Sequence, residues 1–306
     1  VAVLGRYPSA LGRWPALIGF VLLIGIVETL TITPQSPRRT TVVLAGYALV
    51  MVGGSIAFGR AWLRRGDPLE VLYRLFGRVA PVEASRTDDG AYAITLRVPW
   101  QGCLEPVSTP IVVFIVATVY TVSFDGFTNV RRYQTILFDV RDLLGTGVGT
   151  SILLYALGLA GFVGVFAVTM VAVERLGASG SQDIRAAGRW FAPTLLPIAA
   201  AYEVAHYYPY VIRNLGQLFA ISARSIRPGT ASPDLLQWLS VPVFWRTQVV
   251  LIIIGHVIAV VAAHYVAVER YDSLRDARWG HLPLAVLMVG YTVLSLWIIS
   301  QPVVAG

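Results

Sequence analysis

Gly147–Val173, GVGTSILLYALGLAGFVGVFAVTMVAV, carries no charged residue over 27 positions. A hydrocarbon core of ~30 Å needs about 20 apolar residues wound as a helix. The stretch is long enough, and no side chain in it needs bulk water. It is read as a helix that crosses a membrane, and that reading sets the class of the chain.

Six further runs of the same character flank it, at 14–32, 40–58, 106–124, 190–212, 247–268 and 281–303. The expected fold is an all-α integral membrane protein. It is a bundle of about seven transmembrane helices forming one domain over residues 1–306. Composition agrees: 56% of the 306 residues are hydrophobic and 13% charged, against about 25% charged in soluble domains, and mean hydropathy is +0.67. Pro193, Pro197 and Pro209 interrupt the fifth run, and Pro209 is expected to kink or end its helix. The opening VAVLGRYPSALGRWP has no apolar stretch ahead of its arginines and is not read as a signal peptide.

All 24 basic residues are arginine. A chain without lysine forms no retinal or pyridoxal Schiff base and lacks the lysine of a Walker phosphate loop. Cys103 is the single cysteine, which excludes an internal disulfide, a cysteine zinc site and an iron–sulfur cluster. With seven spans, fifteen arginines fall on the side of the N-terminus and nine on the other. The positive-inside rule then places the protein in the plasma membrane, with the N-terminus cytoplasmic and the C-terminus outside. The net charge of +7 is read as arginine facing anionic headgroups, so lipids are expected partners and nucleic acid is not.

Three loop segments carry order. PLEVLYRLFGRV (68–79) and FTNVRRYQTILFDVRDLL (127–144) read as amphipathic interfacial helices. AYAITLRVPW (91–100) alternates like a strand after Asp88-Asp89-Gly90, so 59–105 is expected to hold a helix and a small cytoplasmic hairpin. Residues 226–240 read as a Pro/Ser/Gly-rich outer loop. Ala156, Ala160 and Gly164 form a small-residue stripe, expected to pack within the chain, with an oligomer contact as the alternative.

Ionisable groups inside a membrane are costly, so each is a functional candidate. They are Glu28, Asp125, Glu203, His206, His256 and His264, with His281 at the start of the last run. Glu203-Val204-Ala205-His206 puts a carboxylate and an imidazole on one helix face, as in di-iron bundles. Glu28, Glu203, His206 and His256 are expected at similar depth in the outer half, a set suited to one metal ion. His206 with His256 is the corresponding bis-histidine haem pair. Unless Glu203 is itself a ligand, it is the natural acceptor for the second nitrogen of His206. A structural network, with Arg131, Arg132 or Arg213 neutralising Glu28, Asp125 or Glu203, is the competing reading, and a polar transport path is a third. Tyr202, Tyr207, Tyr208, Tyr210, Trp238, Phe244 and Trp245 form an interfacial belt or line a cavity.

LEVLYRLFGRVAP (69–81), YTVSFDGFTN (120–129), AYEVAHYYPYVI (201–212), GHVIAVVAAHYVA (255–267) and HLPLAVLMVGYTVLSLWIISQP (281–302) together resemble a family of uncharacterised multi-pass proteins of high-GC bacteria and archaea. Some members are labelled fenitrothion hydrolase. The label implies phosphotriester hydrolysis by an activated water, usually on a metal. The resemblance carries over no catalytic residue, but Asp125, Glu203, His206, His256 and His264 lie inside the resembling stretches. The functional expectation is a membrane subunit of a larger redox or respiratory assembly holding a metal or haem, with other membrane subunits as partners. The alternatives are a small-solute permease or channel, and a purely structural subunit.

Overall fold

The computed structural model describes residues 3, 5–87, 90–145, 147–177, 183–226 and 239–301. The 88–89 turn, most of the 226–240 loop, Trp238 and Pro302 lie outside them. The chain opens with α1 (Trp14–Phe20), which continues as a π-helix over Val21–Glu28. Helices α2 (Pro37–Phe58), α3 (Arg60–Gly66) and α4 (Pro68–Gly77) follow, then strands β1 (Val82–Arg86) and β2 (Tyr92–Leu96). The remainder is helical: α5 (Thr109–Thr128), α6 (Arg131–Leu144), α7 (Val148–Leu176), α8 (Ile184–Phe191), a 3-10 turn (Ala192–Leu195), α9 (Leu196–Ile226), α10 (Val241–Arg270) and α11 (Leu274–Ser300).

Among the described residues, five helices are long and apolar enough to cross a membrane: α2, α5, α7, α10 and α11. The first expected span is a shorter apolar segment, Trp14–Glu28. The fifth falls outside the apolar set because its helix, α9, carries Glu203, Arg213 and Arg224 along its length. The two amphipathic segments are helical, as α4 and α6. In α4, Asp67 caps Leu69 and Glu70, and Val71 and Leu75 are buried while Arg74 stays outside. Strands β1 and β2 pair antiparallel, Val82 opposite Leu96, with side chains exposed on both faces apart from Ala93.

Helix α5 is the axis of the molecule. Phe114, Ile115 and Ala117 are fully enclosed, and α7, α8, α9 and α11 surround it. Helices α9 and α10 approach closely because Gly255 has no side chain: a Cβ there would lie 2.8 Å from the Pro197 carbonyl and against Ala201. Alanines continue the seam at 259, 262 and 263. By contrast α2 buries none of its residues.

Two sequence expectations are corrected. Pro209 neither ends nor breaks its helix, since α9 runs through it to Ile226. Proline removes the N–H that would bond the Ala205 carbonyl one turn back. Gln248 of α10 supplies the replacement, donating from Nε2 to that carbonyl at 3.2 Å. The Ala156/Ala160/Gly164 stripe does not pack within the chain. All three residues are exposed, and nothing lies within 4 Å of a Cβ built on Gly164.

The elements sort into two ends. One gathers α4, the hairpin, the starts of α5 and α8, and the α10–α11 corner. Arg189 donates to the Val107 carbonyl at 2.9 Å, and Arg270 pairs with buried Glu174. The other end gathers Glu28, the last turn of α5, α6, and the start of α10.

Candidate functional site

The site is built at this second end by three helical segments. The π-helix ends on Glu28, the last turn of α5 presents Asp125, and one face of α9 presents Glu203, His206 and Tyr207. His206 Nε2 meets Asp125 Oδ2 at 3.0 Å. The Tyr207 hydroxyl donates to Glu28 Oε1 at 3.3 Å, and its ring packs edge-on against the His206 ring at 4.7 Å. Thr29 donates to the other Glu28 oxygen. Glu203 has no hydrogen bond or ion pair among the described residues, yet it lies in the electrostatic field of His206, Glu28 and Asp125 together. Asp125 thus meets the imidazole directly, while Glu28 and Glu203 act on it through charge. Among the described residues no arginine pairs with any of these carboxylates, so the expected neutralisation by Arg131, Arg132 or Arg213 is not found.

The Glu-x-x-His spacing puts Glu203 and His206 on one face, but the partner of His206 Nε2 is Asp125, not Glu203. Helix register alone favours the neighbour one turn away; the packing of α5 against α9 brings in a carboxylate 81 residues distant in sequence.

A cavity of about 440 Å³ opens beside His206. Tyr202, Gln248, Trp245, Asn129 and Gln301 line it together with apolar residues of α10 and α11. Tyr202 thus belongs to a cavity wall. Tyr208 instead bonds Thr247 at 2.6 Å, tying α9 to α10, and Tyr210 is exposed.

His256 stands apart from this cluster. It is 5% exposed, its ring lies against Tyr291 of α11 at 5.7 Å, and Nδ1 meets the Ile252 carbonyl at 2.8 Å. A carbonyl only accepts, so Nδ1 bears the proton in the neutral ring and Nε2 is left as an acceptor. Among the described residues Nε2 has no partner. The expected four-ligand set of Glu28, Glu203, His206 and His256 is not assembled, nor is the His206–His256 haem pair, because the ring of His256 points into the α10–α11 seam. More generally, among the described residues no group of three or more His, Cys, Asp or Glu side chains is arranged to hold a metal ion.

Sequence reasoning did not pair His264 with His281. Their rings lie 5.1 Å apart, one on α10 and the other on α11, toward the opposite end of the molecule. Gln248 was also missed. Its signal was Pro209, which leaves a carbonyl that a neighbouring helix must satisfy.

Compared with known proteins, the chain matches no family model, no curated protein and no solved structure.

Proposed function

We propose that this chain is a proton-linked small-solute permease of the plasma membrane, with the Glu28–Asp125–Glu203–His206 cluster as its proton-exchanging site. In this reading α1 with its π extension and α9 complete a seven-span bundle. The arginine-rich end, with α4 and the hairpin, faces the cytoplasm, and the cluster sits in the outer half.

One observation carries the proposal: among the described residues Asp125 pairs with His206 and no arginine pairs with Asp125, Glu28 or Glu203, while a cavity of about 440 Å³ opens beside the imidazole. An ion-pair network built for stability balances its charges. A cluster with surplus carboxylate at membrane depth takes up a proton or cation, and it gives that charge back when its surroundings change. Helix α9 is entered through a 3-10 turn and runs unbroken through Pro209, and Gln248, which holds the freed Ala205 carbonyl, lines the same cavity as His206.

The test uses the full chain in vesicles with an entrapped pH indicator and a membrane potential imposed by potassium diffusion. Proton movement should exceed that of protein-free vesicles. Asp125→Asn with Glu203→Gln should lower it about tenfold or more, while Arg60→Gln, at the opposite end, should leave it unchanged. Movement equal to that of empty vesicles, or unaltered in the double variant, would overturn the proposal.

A further inference from the structure

At the opposite end of the molecule, Arg13, Arg74 and Arg78 converge on a second cavity, of about 170 Å³. It lies between the start of α1, one face of α4 and the start of α5. Val71, Leu75, Val107 and Ile111 form its floor, and Ser108 stands at the mouth of α5. Two of the arginines are partly balanced: Arg74 pairs with Glu70, and Arg78 reaches Glu105 through the carboxylate at 3.4 Å and the carbonyl at 3.1 Å. The Arg13 side chain makes no hydrogen bond or ion pair among the described residues. It carries the repulsion of Arg74, Arg65 and Arg78 together, and burial with this repulsion lowers its pKa below the ordinary arginine value.

Packing like charges around a hollow is unfavourable unless a counter-charge occupies it. Here the local backbone also offers donors. The Ser108 side chain, which lines the hollow, does not cap α5, so the positive dipole end of that helix lies beside it. Guanidinium forks match the oxygens of phosphate, as of carboxylate, in bidentate pairs.

We propose that this cavity binds the phosphate group of an anionic lipid headgroup. Inorganic phosphate offers the same chemistry, but the apolar floor favours the lipid. Val71, Leu75, Val107 and Ile111 would otherwise meet a fully hydrated ion, whereas they suit the glycerol and first methylenes of a lipid whose headgroup is held by Arg13. The amphipathic α4, with Leu75 and Val71 turned inward and Arg74 outward, places the cavity at the level of a headgroup layer. The site is independent of the permease reading, since none of its residues belongs to the carboxylate cluster.

The experiment measures thermal stabilisation and native mass spectra of the full chain in detergent with phosphatidylglycerol, phosphatidylcholine or inorganic phosphate added. Phosphatidylglycerol should bind and raise the melting temperature, and phosphatidylcholine should not. Arg13→Gln should weaken phosphatidylglycerol binding about tenfold, the loss of one charge-assisted contact. Arg13→Lys, which keeps the charge but loses the fork, should bind between the natural chain and Arg13→Gln, which guards against a variant that merely misfolds. Equal response to both lipids, full binding in Arg13→Gln, or saturation by inorganic phosphate at the lipid's concentration would each overturn the assignment.

Discussion

The Ala205 carbonyl shows how one residue's deficit is met by another's side chain. Pro209 removes its helical donor and Gln248 provides a second, across the α9–α10 contact. An unpaired buried carbonyl costs about 1–3 kcal/mol. Gln248→Leu is therefore expected to destabilise the chain by about that much. In a Pro209→Ala background, where the backbone N–H returns, the same change should cost clearly less. Equal costs in both backgrounds, read from melting curves in detergent, would refute the pairing. At His256 the Ile252 carbonyl dictates the proton's position, so nitrogen NMR of the neutral ring should report the Nδ1–H form. The intramembrane polar residues were all legible as residues, because charge stands out against apolar sequence. Their partners were not. Asp125–His206 and the isolation of His256 depend on which helices touch, and no spacing within one helix encodes that.

Among the elements, one glycine of α2 and one of the α9–α10 seam stand in opposite surroundings. Gly53 on α2 has open space around it, whereas a side chain at Gly255 would meet the Pro197 carbonyl and Ala201. Gly255→Val is expected to cost about 1–3 kcal/mol through forced separation of the helices. Gly53→Ala should be neutral or stabilising by up to ~1 kcal/mol, from helix propensity alone. Comparable losses at both positions would contradict the described seam. Helices α4 and α6 and the hairpin were legible because their hydrophobic periods are local properties. The small-residue stripe of α7 was misjudged for the same reason: periodicity marks a face of the helix but does not say what lies opposite it.

For the whole molecule, the division into two ends gives a direct test of direction. Cys103 is fully buried, and burial pushes its thiol up to about 12, so the natural chain should be inert to maleimides. That leaves a clean background for single introduced cysteines. Leu143→Cys on α6 and Leu96→Cys on β2 replace exposed residues, at 82% and 84%. In intact cells an impermeant maleimide should label the first and spare the second until the membrane is opened. The reverse pattern would invert the proposed orientation. The class of fold was legible from a single uncharged stretch, because crossing hydrocarbon imposes a length and a composition. The count of crossings was less so, since α1 is short and α9 is polar, and their place in the bundle comes from contacts with α5 and α10.

The π-helix over Val21–Glu28 behaves as a stored one-residue insertion. A Thr29 hydroxyl bonds the Ile24 carbonyl five residues back, and Gly25 leaves room for the ring of Tyr155 beneath it. Deleting one residue from this stretch would let it relax to an ordinary α-helix without shifting the anchored start at Trp14. Glu28 would then keep its place against Tyr207, whereas the same deletion inside α1, which holds no spare residue, would turn it by about 100° around the axis. The wide turns therefore act as a phase adjuster: they hold one residue between Phe20 and Thr29 that an ordinary helix would convert into a rotation of Glu28 away from α9.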